Sequence, residues 1–80
     1  MSRTNMMLNG RYTLIGVDGN AFAIMGYTAK AMRRAGFTKE EVEQMYKEAE
    51  ESDYSHLICV CDGYIDKVNK KLGLEDEEDE

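Results

Sequence analysis

Apolar and polar positions follow one rhythm before Val17 and another after Ala21. The N-terminal part holds two short apolar runs, in MML and YTLIGV, on either side of Asn9-Gly10. Asn-Gly is a strong signal for a two-residue hairpin turn, because both central positions need positive φ. The pattern predicts a hairpin of Thr4–Leu8 and Arg11–Val17. A lone hairpin is marginal in water, so it must lie on helices or pair with a strand of another subunit.

From Ala21 onward the period is helical. In AFAIMGYTAKAMRRAG, Phe22, Met25, Ala29 and Met32 share one face, and Ile24, Thr28, Ala31 and Ala35 another. Two adjacent apolar faces suit a central helix, or one that also feeds an oligomer interface. Gly26 inside that helix is expected to let another backbone approach, and Gly36 to end it. The next helix has a capping box, Thr38 with Glu41, and a possible hydrophobic staple of Phe37 on Val42. Its stripe is Val42, Met45, Tyr46 and Ala49, and its outer face, with Glu40, Glu43, Glu48, Glu50 and Glu51, reads as solvated.

The third segment is double-edged. Leu57-Ile58-Cys59-Val60-Cys61 before Asp62-Gly63 resembles a strand and its turn. Tyr54, Leu57, Ile58, Cys61, Tyr64, Ile65, Val68 and Leu72 nevertheless keep helical spacing for about five turns. Ser52 or Asp53 caps such a helix, and Lys67, Lys70 and Lys71 complement its C-terminal dipole. Helix is the stronger reading. The expected fold class is α+β and mostly helical, a short N-terminal β element followed by three helices.

Charge changes this picture at one end only. The net charge is −6, but six of the 16 acidic residues are Glu75–Glu80. The ten that remain balance the ten basic groups, so residues 1–74 form a neutral domain, followed by a self-repelling tail expected to be disordered. Nucleic-acid binders carry a basic excess, which is missing here. No apolar run reaches the roughly 20 residues of a membrane span, and no secretory leader is evident, so the expectation is a soluble, cytoplasmic protein. Eighty residues bury a small core, and with an apolar central helix this favours a homo-oligomer, a dimer or higher.

Candidate chemistry is sparse. Gly16-Val17-Asp18-Gly19-Asn20 is a glycine turn into a helix, a place where free N–H groups can hold an anion. Its spacing is not that of a dinucleotide or nucleoside-triphosphate loop, and Asp18 would repel a phosphate. The plainer reading gives Gly19 a positive φ and makes Asp18 or Asn20 the helix cap. Tyr27, Lys30 and Arg34 share a face, with Arg33 beside them. They could take a phosphate or nucleotide, or simply pair with the acidic face of the next helix. If subunits assemble around this helix, Asp18, Gly19, Asn20, Tyr27, Lys30, Arg33 and Arg34 become the ligand-binding candidates. His56, Cys59 and Cys61 do not make a zinc site, since four ligands are needed and Cys61 points elsewhere on a helix. No cofactor, metal site or catalytic constellation is expected.

GVDGNAFAIMG, AMRRAGFTKEEVEQ and SDYSHL together resemble a family of small bacterial, prophage and phage proteins to which no activity is attached. The resemblance runs from Tyr12 to Leu72, with D-G-N-A-F its most specific part and Ser52 replacing a usual glycine. It implies a helical third segment. It also suggests that Asp53 and Tyr54 fix the corner between the second and third helices against the Asp18–Phe22 turn. Two functions follow as expectations: a non-enzymatic phage or mobile-element accessory protein that binds a host protein, or a homo-oligomer that sequesters a small, nucleotide-like anion between subunits.

Overall fold

A computed structural model describes residues 7–8 and 11–74. They form two short strands, β1 (Met7–Leu8) and β2 (Arg11–Tyr12), then helices α1 (Ala21–Arg34), α2 (Lys39–Ala49) and α3 (Tyr54–Leu72). The expected tail, Glu75–Glu80, and the Asn9-Gly10 turn lie outside the described residues, as do Thr4–Met6 of the expected first strand.

The strands pair antiparallel, Met7 opposite Tyr12 and Leu8 opposite Arg11. The second strand is much shorter than the predicted Arg11–Val17, because a residue far along the chain takes over its hydrogen bonds. Tyr12 gives its N–H to Asn69 Oδ1 (2.8 Å), and its carbonyl accepts from Asn69 Nδ2 (2.9 Å). A side-chain amide from α3 thus replaces the next strand. Thr13 N–H then goes to Tyr27 Oη (2.8 Å) and Val17 N–H to the Leu14 carbonyl (3.1 Å), around Gly16 at φ +88°. Gly16, rather than the predicted Gly19, supplies the left-handed residue of this turn.

Each helix begins with a side-chain cap. Asn20 Oδ1 accepts from Ala23 N–H (2.8 Å), and Asp53 Oδ1 from His56 N–H (3.0 Å), which settles both open choices of cap. The capping box of α2 is complete: Glu41 N–H donates to Thr38 Oγ1 (3.1 Å), and Thr38 N–H to Glu41 Oε1 (2.8 Å). At the end of α1, Phe37 N–H reaches the Met32 carbonyl and Gly36 N–H that of Arg33. With Gly36 at φ +90°, this is a Schellman motif, as the sequence implied.

The three helices enclose one core, in which Met25, Ala29, Ala31, Met32, Met45, Ala49, Cys61 and Val68 are almost fully buried. Both apolar faces of α1 contribute, with one exception: Phe22 is 82% exposed, contrary to its place on the predicted Met25–Met32 face. In α3, Leu57, Cys61, Ile65 and Val68 form the buried stripe, while Tyr54 and Leu72 at its ends stay exposed. The expected close approach at Gly26 does not occur among the described residues, since beyond its chain neighbours and its own helix backbone a Cβ there would meet nothing within 4 Å.

The α2 cap makes a pH prediction. The Thr38 backbone N–H holds the Glu41 carboxyl below its ordinary 4.5. A depressed carboxylate adds stability above its unfolded pKa, and that stability is lost as pH falls through the lower folded value. The urea midpoint should therefore drop between neutral pH and about pH 3, and in Glu41→Gln the drop should be smaller. An identical pH dependence in wild type and variant would remove Glu41 from the account.

Candidate functional site

The Asp18–Phe22 turn and the start of α3 meet at one corner. Tyr54, the first residue of α3, donates its hydroxyl hydrogen to the carbonyl of Gly19, 35 positions earlier. This is the contact expected between the D-Y stretch and the D-G-N-A-F turn. Asp18 Oδ1 accepts from Asn20 N–H (3.3 Å) inside the same turn. Two amides of the helix entrance, those of Asn20 and Ala23, are therefore taken by the turn's own side chains. A Cβ on Gly19 would stand 3.7 Å from Tyr54 Oη, ordinary contact, so neither space nor backbone conformation demands glycine there.

The far side of the corner is pinned at the end of α2. His56 Nε2–H donates to the Glu48 carbonyl (2.7 Å), one of the orphan acceptors of the helix terminus. The Glu48 carboxylate accepts from Gln44 Nε2 (2.9 Å) and Tyr64 Oη (3.1 Å). The Gln44 bond, ahead of that from Tyr64, holds this carboxyl below its ordinary value. His56 is thus engaged in fixing the α2–α3 junction.

On this braced corner the surface is apolar. Phe22 (82% exposed) and Tyr54 (48% exposed) flank an open pocket of about 340 Å³ floored by Met25, Ala49 and Leu57. Glu50 and Asp53 line its edge, and Asp18 is exposed on the adjoining turn. Exposed apolar residues are common singly, but two aromatic rings around one concavity make this the candidate site.

The seven candidate ligand residues do not gather in one chain. Asp18, Gly19 and Asn20 stand at the N-terminus of α1, and Arg33 and Arg34 at its C-terminus, about 20 Å away for 14 residues of helix. Tyr27 faces β2, where it accepts from Thr13 N–H and packs edge-on against Tyr12 at 6.2 Å. Burial there pushes its phenol above the ordinary value. Lys30 and Arg34 are exposed, while Arg33 lines a groove of about 380 Å³ with Lys39, Val42, Glu43 and Tyr46. The expected pairing of these cations with the acidic face of α2 is not made: among the described residues the ion pair is Lys70–Asp66 (3.4 Å), within α3.

Cys61 is buried, and burial raises its thiol pKa; Cys59 is exposed. Among the described residues, no group of three His, Cys, Asp or Glu side chains could hold a metal ion, and no helix is long and apolar enough to cross a membrane. Two features escaped the reading of the sequence. Asn69 stands four residues after Ile65 on the apolar stripe of α3, and a polar residue on such a stripe signals a buried hydrogen-bonding duty. The exposure of Phe22 had no sequence signal, because its spacing matches the core face.

Compared with protein-family models, curated proteins and solved structures, the chain matches none of them.

Proposed function

We propose that the protein is a non-enzymatic binding module that acts by docking a partner protein at the Phe22–Tyr54 pocket. The observation that carries this reading is the exposure of Phe22, an aromatic ring held in solvent beside an apolar concavity. The acidic groups Asp18, Glu50 and Asp53 around the rings favour a partner segment of one chemistry: an apolar anchor flanked by Lys or Arg. The resemblance to phage and prophage proteins supports a mobile-element accessory acting on a host protein in the cytoplasm. The second reading, sequestration of a nucleotide-like anion, needs the Gly19 turn and Arg33–Arg34 in one pocket. Their separation in a single chain makes that reading depend on a neighbouring subunit.

Selection of binders from a random peptide library tests the proposal. The selected peptides should share an aromatic or aliphatic residue next to a basic one, and added salt should weaken them. Phe22→Ser should weaken binding by about 10- to 100-fold, since a ring of this kind gains roughly 1.5–3 kcal/mol on burial. Its folding stability should stay within about 0.5 kcal/mol of wild type. Peptides without the basic neighbour, or equal binding by Phe22→Ser, would refute the assignment.

A further inference from the structure

Gly26 lies in the middle of α1, where glycine is the least favourable residue after proline. Its φ is not positive, and among the described residues nothing beyond its chain neighbours and the helix's own backbone comes within 4 Å of a Cβ built there. The fold itself therefore gives no reason for glycine. Its neighbours on the same helical face do. Phe22 stands one turn before it, Lys30 one turn after and Arg33 two turns after, and all are exposed. Along this face the order is ring, gap, cation.

Charge follows the same axis. Asp18, Glu50 and Asp53 cluster at the Phe22 end. Arg33, Arg34 and Lys39 lie at the other, with Glu43 among them. A face that runs from acidic with a ring to basic, with a gap at its centre, is complementary to itself under a two-fold rotation about the gap.

We infer that the protein forms a two-fold homodimer in which the α1 helices pack antiparallel and cross at Gly26. The missing side chains at the crossing let the two backbones approach at or below the usual 8–10 Å between axes, about the least that side chains allow. Phe22 and Lys30 each lie about 6 Å from Gly26, on opposite sides, so each Phe22 ring meets the partner's Lys30. That contact covers the ring and seats an ammonium on its face. Antiparallel packing also opposes the helix dipoles and lays each acidic end on a basic one. A head-to-tail contact would leave one ring and one basic end unused at each terminus, whereas the two-fold arrangement uses both. The arginines of one copy are thereby carried toward the Asp18–Asn20 turn of the other. The dimer covers Phe22 and so competes with partner docking there, but Gly26, Lys30 and Arg33 do not line the Phe22–Tyr54 pocket, so variants at these positions test the dimer apart from docking.

The test combines sedimentation with cross-linking in a Cys59→Ser background, which removes the exposed thiol. Wild type should sediment as a concentration-dependent dimer. Gly26→Cys should oxidise to an inter-chain disulfide, because the two copies of residue 26 meet on the axis within the roughly 4.4–6.8 Å Cα separation such a bond spans. Lys30→Cys, about 12 Å along the axis from its counterpart, should not. Gly26→Leu should keep its helical circular dichroism while the dimer Kd rises at least about tenfold. A monomer at every concentration, a dimer that survives Gly26→Leu, or cross-linking through residue 30 in preference to 26 would overturn the inference.

Discussion

Replacing Asn69 by Leu is expected to cost about 2–4 kcal/mol, although leucine is the better helix former and the site is buried among apolar neighbours. Asn69 is 4% exposed, and its amide satisfies both backbone groups of Tyr12. In an antiparallel pair, alternate residues direct their N–H and C=O away from the neighbouring strand. Both groups of Tyr12 go to Asn69, so the α3 side chain finishes a sheet that has two strands among the described residues. Leucine would leave a buried donor and a buried acceptor without partners, each costing roughly 1–3 kcal/mol. Asn69→Asp separates the two bonds: the carboxylate still accepts from the Tyr12 N–H but confronts its carbonyl. Both variants should lower the urea midpoint and speed hydrogen exchange at the Tyr12 amide, while far-ultraviolet dichroism keeps its helical shape. A midpoint shift equivalent to less than about 0.5 kcal/mol in Asn69→Leu would show that water replaces the amide at no cost.

How much of this was legible beforehand depended on whether the determining interaction was local. Caps were legible, because Thr38 with Glu41 and Asp53 with His56 act across three residues. The same holds for Gly36, whose left-handed φ closes the preceding turn. The α3 helix was readable through the period of Leu57, Cys61, Ile65 and Val68, despite the strand-like composition of its first half. The strand end was not, because it depends on Asn69, 57 positions from Tyr12. The expectation of a positive φ at Gly19 failed even though the turn is local, and Gly16 takes that φ instead. Both precede the helix, and the turn closes at Val17 rather than at the cap.

The candidate site divides along the same line. The meeting of Tyr54 with the Gly19 turn was expected from the motif stretches that carry the resemblance. The exposure of Phe22 was invisible, since periodicity ranks residues by face and cannot say where a face ends. Phe22 sits one turn ahead of Met25 and two ahead of Ala29, on the same face but turned to solvent. The basic residues looked like a single patch because Tyr27, Lys30 and Arg34 share a helical spacing. Tyr27 is instead drawn inward by the Thr13 N–H and the Tyr12 ring, which leaves the cations on the outer surface.

Met45→Ala is expected to be the most damaging single truncation, and its comparison with Phe22→Ser separates core from site. Met45 is completely buried at the centre of α2, between Val42 and Ala49 of the same stripe. Truncating a buried methionine to alanine costs about 2–5 kcal/mol, from lost transfer energy and the cavity left behind. A domain of this length has roughly 4–12 kcal/mol in all. At an m-value of about 1 kcal/mol/M, the urea midpoint should fall by some 2–5 M, enough to unfold part of the population without denaturant. Phe22 is the larger side chain and by composition the stronger core candidate, yet at 82% exposure its loss should leave that midpoint almost where it was. The two variants should therefore exchange their effects between assays: Met45→Ala lowers stability, and with it peptide binding only in proportion to the folded fraction, whereas Phe22→Ser lowers binding while the folding midpoint of the monomer holds. Equal midpoint losses in the two would place Phe22 in the core and remove the binding surface. If Met45→Ala were harmless, α2 would owe its position to its caps and its junction with α3 rather than to its buried stripe.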